Sequence, residues 1–128
     1  MDSSVLFVSP YGQDASSLAE MLDEVSISVV HASSLKDAVG KLRAGNFGVV
    51  LTEANLDDGN WLDLLELTRR SGTKLVLTDA WADARIWATA INLGAYDMLA
   101  QPFHGTEVRR VLASASSRQG KTRTAGVA

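Results

Sequence analysis

At 128 residues, 46% hydrophobic and 21% charged with a formal net charge of −3, the chain has the size and composition of one globular domain that buries a core without staples. It contains no cysteine, which excludes a disulfide framework, a thiolate metal site and a cysteine nucleophile, and His31 and His104 lie too far apart in sequence to point to an imidazole site. No apolar run approaches the roughly 20 residues of a membrane helix, and the first residues lack the basic start and apolar block of a signal peptide, so a cytoplasmic location without membrane contact is expected.

Val5-Leu6-Phe7-Val8 is a continuous apolar run stopped by the turn formers Ser9-Pro10-Tyr11-Gly12, which predicts a buried first strand. Leu18, Met21, Leu22 and Val25 then recur at three- and four-residue steps, giving a first helix that Asp14, Ser16 or Ser17 is available to cap. Residues 27–32 are rich in β-branched side chains and predict a second strand. Ser34, followed three residues later by Asp37, looks like a capping-box variant; Leu35, Ala38, Val39 and Leu42 supply the inner face of the second helix, and Gly45 stands at its carboxyl cap.

Val49-Val50-Leu51-Thr52-Glu53 is an apolar run that ends in a carboxylate, the pattern of a third strand buried on both faces. The chain then breaks into a polar turn, where Asp57 and Asp58 read as turn acids bonding their own backbone. Leu62, Leu64 and Leu65 mark a third helix ending near Gly72, and Lys74-Leu75-Val76-Leu77-Thr78 is a fourth strand. A fourth helix from Asp83 to Leu93, closed by Gly94, precedes a fifth strand, Tyr96-Asp97-Met98-Leu99, which runs into Gln101-Pro102-Phe103. The last helix spans roughly Gly105 to Ser117, with Val108, Val111 and Leu112 inward.

The domain is thus placed at 1–117, and 118–128, rich in Ser, Gly, Thr and Lys, reads as a disordered tail or linker. This tail carries Arg118, Lys121 and Arg123 without an acid, so the body is more acidic than the whole chain. An acidic body repels phosphates, and nucleic-acid binding by this domain alone is not expected.

Five strands alternating with five helices through short connections argue for an α/β fold, a doubly wound parallel sheet with helices on both faces. Ligands of such folds bind at the carboxyl ends of the strands, beside strands one and three, so Ser9 and Glu53 are expected to meet in one crevice.

From about Ser4 to Ser117 the chain resembles a receiver domain of the bacterial response regulators. The residues that carry the likeness are Val49 to Leu56 followed by Asp58-Gly59, Val76-Leu77-Thr78, and Gly94-Ala95-Tyr96-Asp97-Met98-Leu99-Ala100-Gln101-Pro102-Phe103. The last resembles the family's run of Gly-Ala, an acid, an aromatic, Leu, then Lys-Pro-Phe. The resemblance implies a flavodoxin-like five-stranded sheet of order 2-1-3-4-5 and a cis bond between Gln101 and Pro102.

It also implies chemistry for which residues are missing. The acidic pair that holds magnesium in the family falls on Ser9 and Pro10, the phosphoacceptor aspartate on Glu53, and the lysine that contacts the acyl phosphate on Gln101. The switch hydroxyl is kept as Thr78, and the switch aromatic is replaced by Met98. Magnesium wants hard oxygen ligands, and Ser9-Pro10 supplies no carboxylate. Gln101 donates hydrogen bonds but carries no charge. The extra methylene of Glu53 moves its oxygens on the order of 1.5 Å from an aspartate position, a displacement worth about 100-fold where geometry is demanding.

The resulting expectation is a degenerate receiver: a non-enzymatic, phosphorylation-independent signalling module of the two-component type, without cofactor or metal. The alternative is a remodelled receiver still phosphorylated on Glu53 or binding Mg²⁺ weakly, with Asp79 a further carboxylate near the crevice. Glu53 itself reads either as a built-in mimic of the phosphorylated acid or as a solvated strand-end carboxylate. Thr78 reads as an inherited switch residue or, more simply, as a threonine satisfied locally.

Three tryptophans, Trp61, Trp81 and Trp87, are unusual in so short a chain. Adjacent Ile86 and Trp87 cannot be buried equally well on one helix. Trp81, Ile86 and Trp87 therefore mark an apolar contact surface. In the resembling family the face formed by helix four, strand five and helix five meets partners. A protein partner, a fused output domain or a second copy of the chain is expected there.

Overall fold

The computed structural model describes residues 3–80 and 83–116. One parallel sheet contains β1 (Ser3–Val8), β2 (Ile27–Ala32), β3 (Val49–Glu53), β4 (Lys74–Asp79) and β5 (Asp97–Ala100), in the spatial order β2-β1-β3-β4-β5. The helices are α1 (Gly12–Asp23), α2 (Leu35–Ala44), α3 (Trp61–Ser71), α4 (Ala84–Leu93) and α5 (Gly105–Ser116). This is the doubly wound α/β architecture that the alternation of elements predicts.

Alternation along each strand divides the core into two layers. Val5, Phe7, Leu51, Val76 and Leu99 pack with Leu18 and Leu22 of α1 and with Val108, Val111 and Leu112 of α5. Leu6, Val8, Val50, Leu75, Leu77 and Met98 pack on the opposite side with Ala38, Leu64, Leu65 and Ala90. The register sets Val8 beside Thr52 and Glu53 beside Thr78. The ends of β1, β3 and β4 therefore share one edge of the sheet.

Several local expectations are corrected. The first helix begins at Gly12 with Tyr11 as its N-cap and no capping side chain, so Asp14, Ser16 and Ser17 lie inside it. Val25 lies beyond that helix and is exposed. In α3, Asn60 is the N-cap: its side chain accepts from Leu62 N, and Asp63 returns a bond to Asn60 N. Helix geometry then places Trp61, Leu64, Leu65 and Thr68 on the inner stripe and turns Leu62 outward.

At α2, Ser34 accepts from Asp37 N, while Asp37 reaches past the cap to Ser33 N. Gly45 caps that helix with an extended backbone, whereas Gly72 closes α3 in the left-handed conformation at φ 76°. A short antiparallel hairpin, Asn55–Leu56 against Gly59–Asn60, follows β3 where the sequence showed only a turn. A Cβ at Gly59 would collide with the Leu35 side chain, so this hairpin sits hard against the start of α2. Among the described residues no helix is long and apolar enough to cross a membrane. Residues 117–128, with the tail cations and the expected disorder, lie outside the described residues.

Candidate functional site

Four side chains meet at the carboxyl edge of the sheet. Ser9, fully buried just past β1, donates from Oγ to Glu53 Oε2 at 3.1 Å and accepts from Tyr11 N at 3.1 Å. Gln101, in the connection after β5, donates from Nε2 to the same Glu53 Oε2 at 3.1 Å and to Thr78 Oγ1 at 3.1 Å. A primary amide nitrogen has two N–H donors, and these two acceptors use both. The Gln101–Pro102 peptide bond is cis. Pro10, exposed in the turn after Ser9, has neither a carboxylate nor an N–H.

Two readings change here. Thr78 is fully buried and its hydroxyl is held by Gln101, 23 residues away, rather than by a local partner. Asp58 is not a self-contained turn acid, because its carboxylate accepts from Leu35 N at 2.8 Å and Lys36 N at 2.9 Å, the first amides of α2. Those backbone bonds, from Lys36 foremost and then Leu35, hold the Asp58 carboxyl below the ordinary carboxylate range. His31 was absent from the sequence argument about this edge, yet its Nε2 lies 2.7 Å from Ser9 O and its ring lies 6.0 Å from that of Phe7. His31 stands opposite Phe7 across β1 and β2, a register that only the structure supplies.

This constellation does not fit a magnesium ion. Glu53 Oε2 is already engaged by two neutral donors, and Ser9 and Pro10 contribute no carboxylate. Among the described residues no three His, Cys, Asp or Glu side chains converge on a position that could hold a metal, so Glu53, Asp57 and Asp58 do not form such a group.

The tryptophans divide. Trp61 is 9% exposed and belongs to the core, whereas Trp87 is 50% exposed on the outer side of α4. Ile86, one residue earlier, packs against the core, as helix geometry requires of adjacent residues. Trp81 lies outside the described residues. Met98 is buried in the core layer with Ala90 and also lines a groove of about 310 Å³ between α4, β5 and α5. Asp83, Trp87, Asp97, Glu107 and Arg110 line the same groove. The sequence reading did not single out Asp97, Glu107 or Arg110. Helical spacing was the available signal for the last two, which stand three residues apart on α5 and away from the inward Val108, Val111 and Leu112.

The family model of the response regulator receiver domain matches residues 13–113. The chain is 26% identical over 108 residues to the transcriptional regulatory protein TdiR of Thauera aromatica, an alignment that covers 83% of this chain and 48% of that protein. It spans about half the length of the curated relatives it matches. Among solved structures, the signal receiver domain of a putative LuxO repressor protein from Vibrio parahaemolyticus is similar at TM-score 0.84 and 16% identity, covering 98% of each chain. The beryllofluoride-activated NtrC4 receiver domain dimer is similar at TM-score 0.79 and 22% identity, covering 88% of this chain and 95% of that one.

Proposed function

The chain belongs to the response regulator receiver domain family, and from that premise we propose that it is a two-component signalling module which acts by protein contact without accepting a phosphoryl group. One observation carries this reading: the carboxylate at the phosphoacceptor position is already the acceptor for Ser9 and Gln101. Phosphoryl transfer is catalysed mainly by positioning and by neutralising charge with Mg²⁺ and a cation. Here the acidic-pair positions are Ser9 and Pro10, and the lysine position is the neutral Gln101. Glu53 is then a fixed charge, and Gln101 ties it to Thr78, the switch position.

Output in this reading passes through the face of α4, β5 and α5, where Trp87 is exposed and Ile86 and Met98 lie beneath. The length of the curated relatives supports an arrangement in which such a domain works beside another, either a fused output domain or a separate cytoplasmic partner. Dimerisation, described for the NtrC4 receiver, is a further use of such a domain.

The reading is tested by incubating the protein with acetyl phosphate, and separately with beryllofluoride, in the presence of Mg²⁺. Intact mass and amide NMR spectra are expected to stay unchanged. A phosphoryl adduct on Glu53, or beryllofluoride-dependent shifts around Thr78 and Gln101, would instead establish a remodelled but working receiver.

A further inference from the structure

The groove between α4, β5 and α5 has a charge pattern that specifies what it receives. We infer that its occupant is a cationic segment of another protein, in which lysines or arginines flank an aliphatic or aromatic anchor. This rests on the reading of that face as the output surface and adds the chemistry of the partner.

The anchor site is apolar. Trp87 is half exposed, Met98 is buried beside it, and the groove volume of about 310 Å³ accommodates a large side chain. Ile91, one turn beyond Trp87 on α4, is also exposed, which extends the apolar strip along the helix. An exposed aromatic next to a concave apolar floor is the usual setting of an interface hot spot.

The rim is acidic. Among the described residues, Asp83, Asp97 and Glu107 line the groove against one cation, Arg110. The ion pairs of the described residues join Lys41 to Asp37, Arg70 to Glu66 and Arg109 to Glu24, so none neutralises this rim. The bonds that two of these acids accept are from backbone: Asp83 from Ile86 N, and Asp97 from Met98 N.

That imbalance selects among occupants. A second copy packed face to face would bring three more carboxylates and one more guanidinium. Even if each Arg110 paired across the interface, acids on both sides would be drawn from water without a counter-charge, which is costly. A partner with several cations pairs the rim as its apolar residue fills the groove. An acidic or neutral partner pairs only Arg110.

The test is selection of binders to the full chain from a random peptide display library, followed by mapping of the selected peptides by amide NMR. Enriched peptides are expected to carry Lys or Arg on both sides of Leu, Ile, Phe or Trp and to shift amides of α4, β5 and α5. Each of Asp97→Asn and Glu107→Gln should weaken them about twofold to fivefold, as expected for exposed ion pairs. Rising salt should weaken them further. The amide oxygen introduced by Asp97→Asn would still accept from Met98 N, so that variant leaves the strand intact.

Enriched peptides that bind the groove but are neutral or acidic, or that ignore both substitutions, overturn the cationic partner and leave the output face standing. The same holds if the chain self-associates and Trp87→Ala abolishes it. Failure to enrich any binder, or binders that shift amides elsewhere, overturns the output face together with the inference.

Discussion

The crevice at the carboxyl edge of the sheet and the groove along α4, β5 and α5 both set polar side chains beside the core, but they differ in how those groups are matched. At the edge, Glu53 accepts from Ser9 and Gln101, and Gln101 spends its second N–H on Thr78. The donors and acceptors of this chain of side chains serve one another. At the outer face, three carboxylates and Arg110 surround a half-exposed indole, and no ion pair among the described residues links them. A buried group that is already bonded has little to gain from a ligand, whereas unmatched charge beside exposed apolar surface gains from being covered. In this fold the edge is where chemistry is expected and the face is where contact is expected. It is the charge left without an ion pair beside the exposed indole that supports the reading by contact.

Truncating two tryptophans gives the largest separation between inner and outer parts. Trp61→Ala removes a core side chain and is expected to cost about 3–5 kcal/mol, a large part of the stability of a small domain. Trp87→Ala is expected to change stability by about 0.5 kcal/mol or less, as for surface residues in general. Urea unfolding monitored by circular dichroism measures both through the shift in midpoint. Similar losses for the two variants would mean that Trp87 is a structural residue and that the outer face is not free for a partner.

A smaller effect probes the crevice. Glu53→Ala leaves the buried Ser9 hydroxyl and one N–H of Gln101 without their acceptor, which should cost about 1–2 kcal/mol. Glu53→Gln should cost less, because its amide oxygen still accepts. Unchanged stability in Glu53→Ala would show that the edge is not held by its own hydrogen bonds, and the contrast with the face would lose its basis.

The framework was legible because it follows from short-range patterns. Val5-Leu6-Phe7-Val8 and Val49-Val50-Leu51 are apolar enough to be strands only where both faces are covered, and Gly72 and Gly94 punctuate helices where predicted. Strand order then brought Ser9 to Glu53 without any knowledge of side chains. What could not be read depends on side chains reaching between elements. Gln101 meets Glu53 across 48 residues and Thr78 across 23, and no local spacing encodes either contact. The leucines that mark α3 did not show that Trp61 rather than Leu62 lies inward, because neighbouring positions on a helix differ by about 100° and no start was assigned to this helix from sequence. The acidic rim joins residues of three elements and has no signature in any one of them.

Asp58 also connects separate elements, and its effect is the smallest because the group is exposed. Its carboxylate, in the hairpin after β3, accepts from the first two amides of α2, where unpaired N–H groups and the helix dipole favour negative charge. Those bonds lower its folded pKa from the ordinary 3.8, so the unfolded chain binds its proton more readily than the folded chain. The stabilisation is therefore complete well above 3.8 and is lost as pH falls through the depressed folded value. Asp58→Asn should melt below the parent at pH 7 by a gap that is constant down to about pH 5 and narrows below that. Asp37, also held below its ordinary value, chiefly by Lys41, is present in both proteins and cancels from the difference. A gap that persists undiminished in strong acid would mean that Asp58 acts by shape rather than charge, and that the hairpin is pinned to α2 by packing of Leu35 against Gly59 alone.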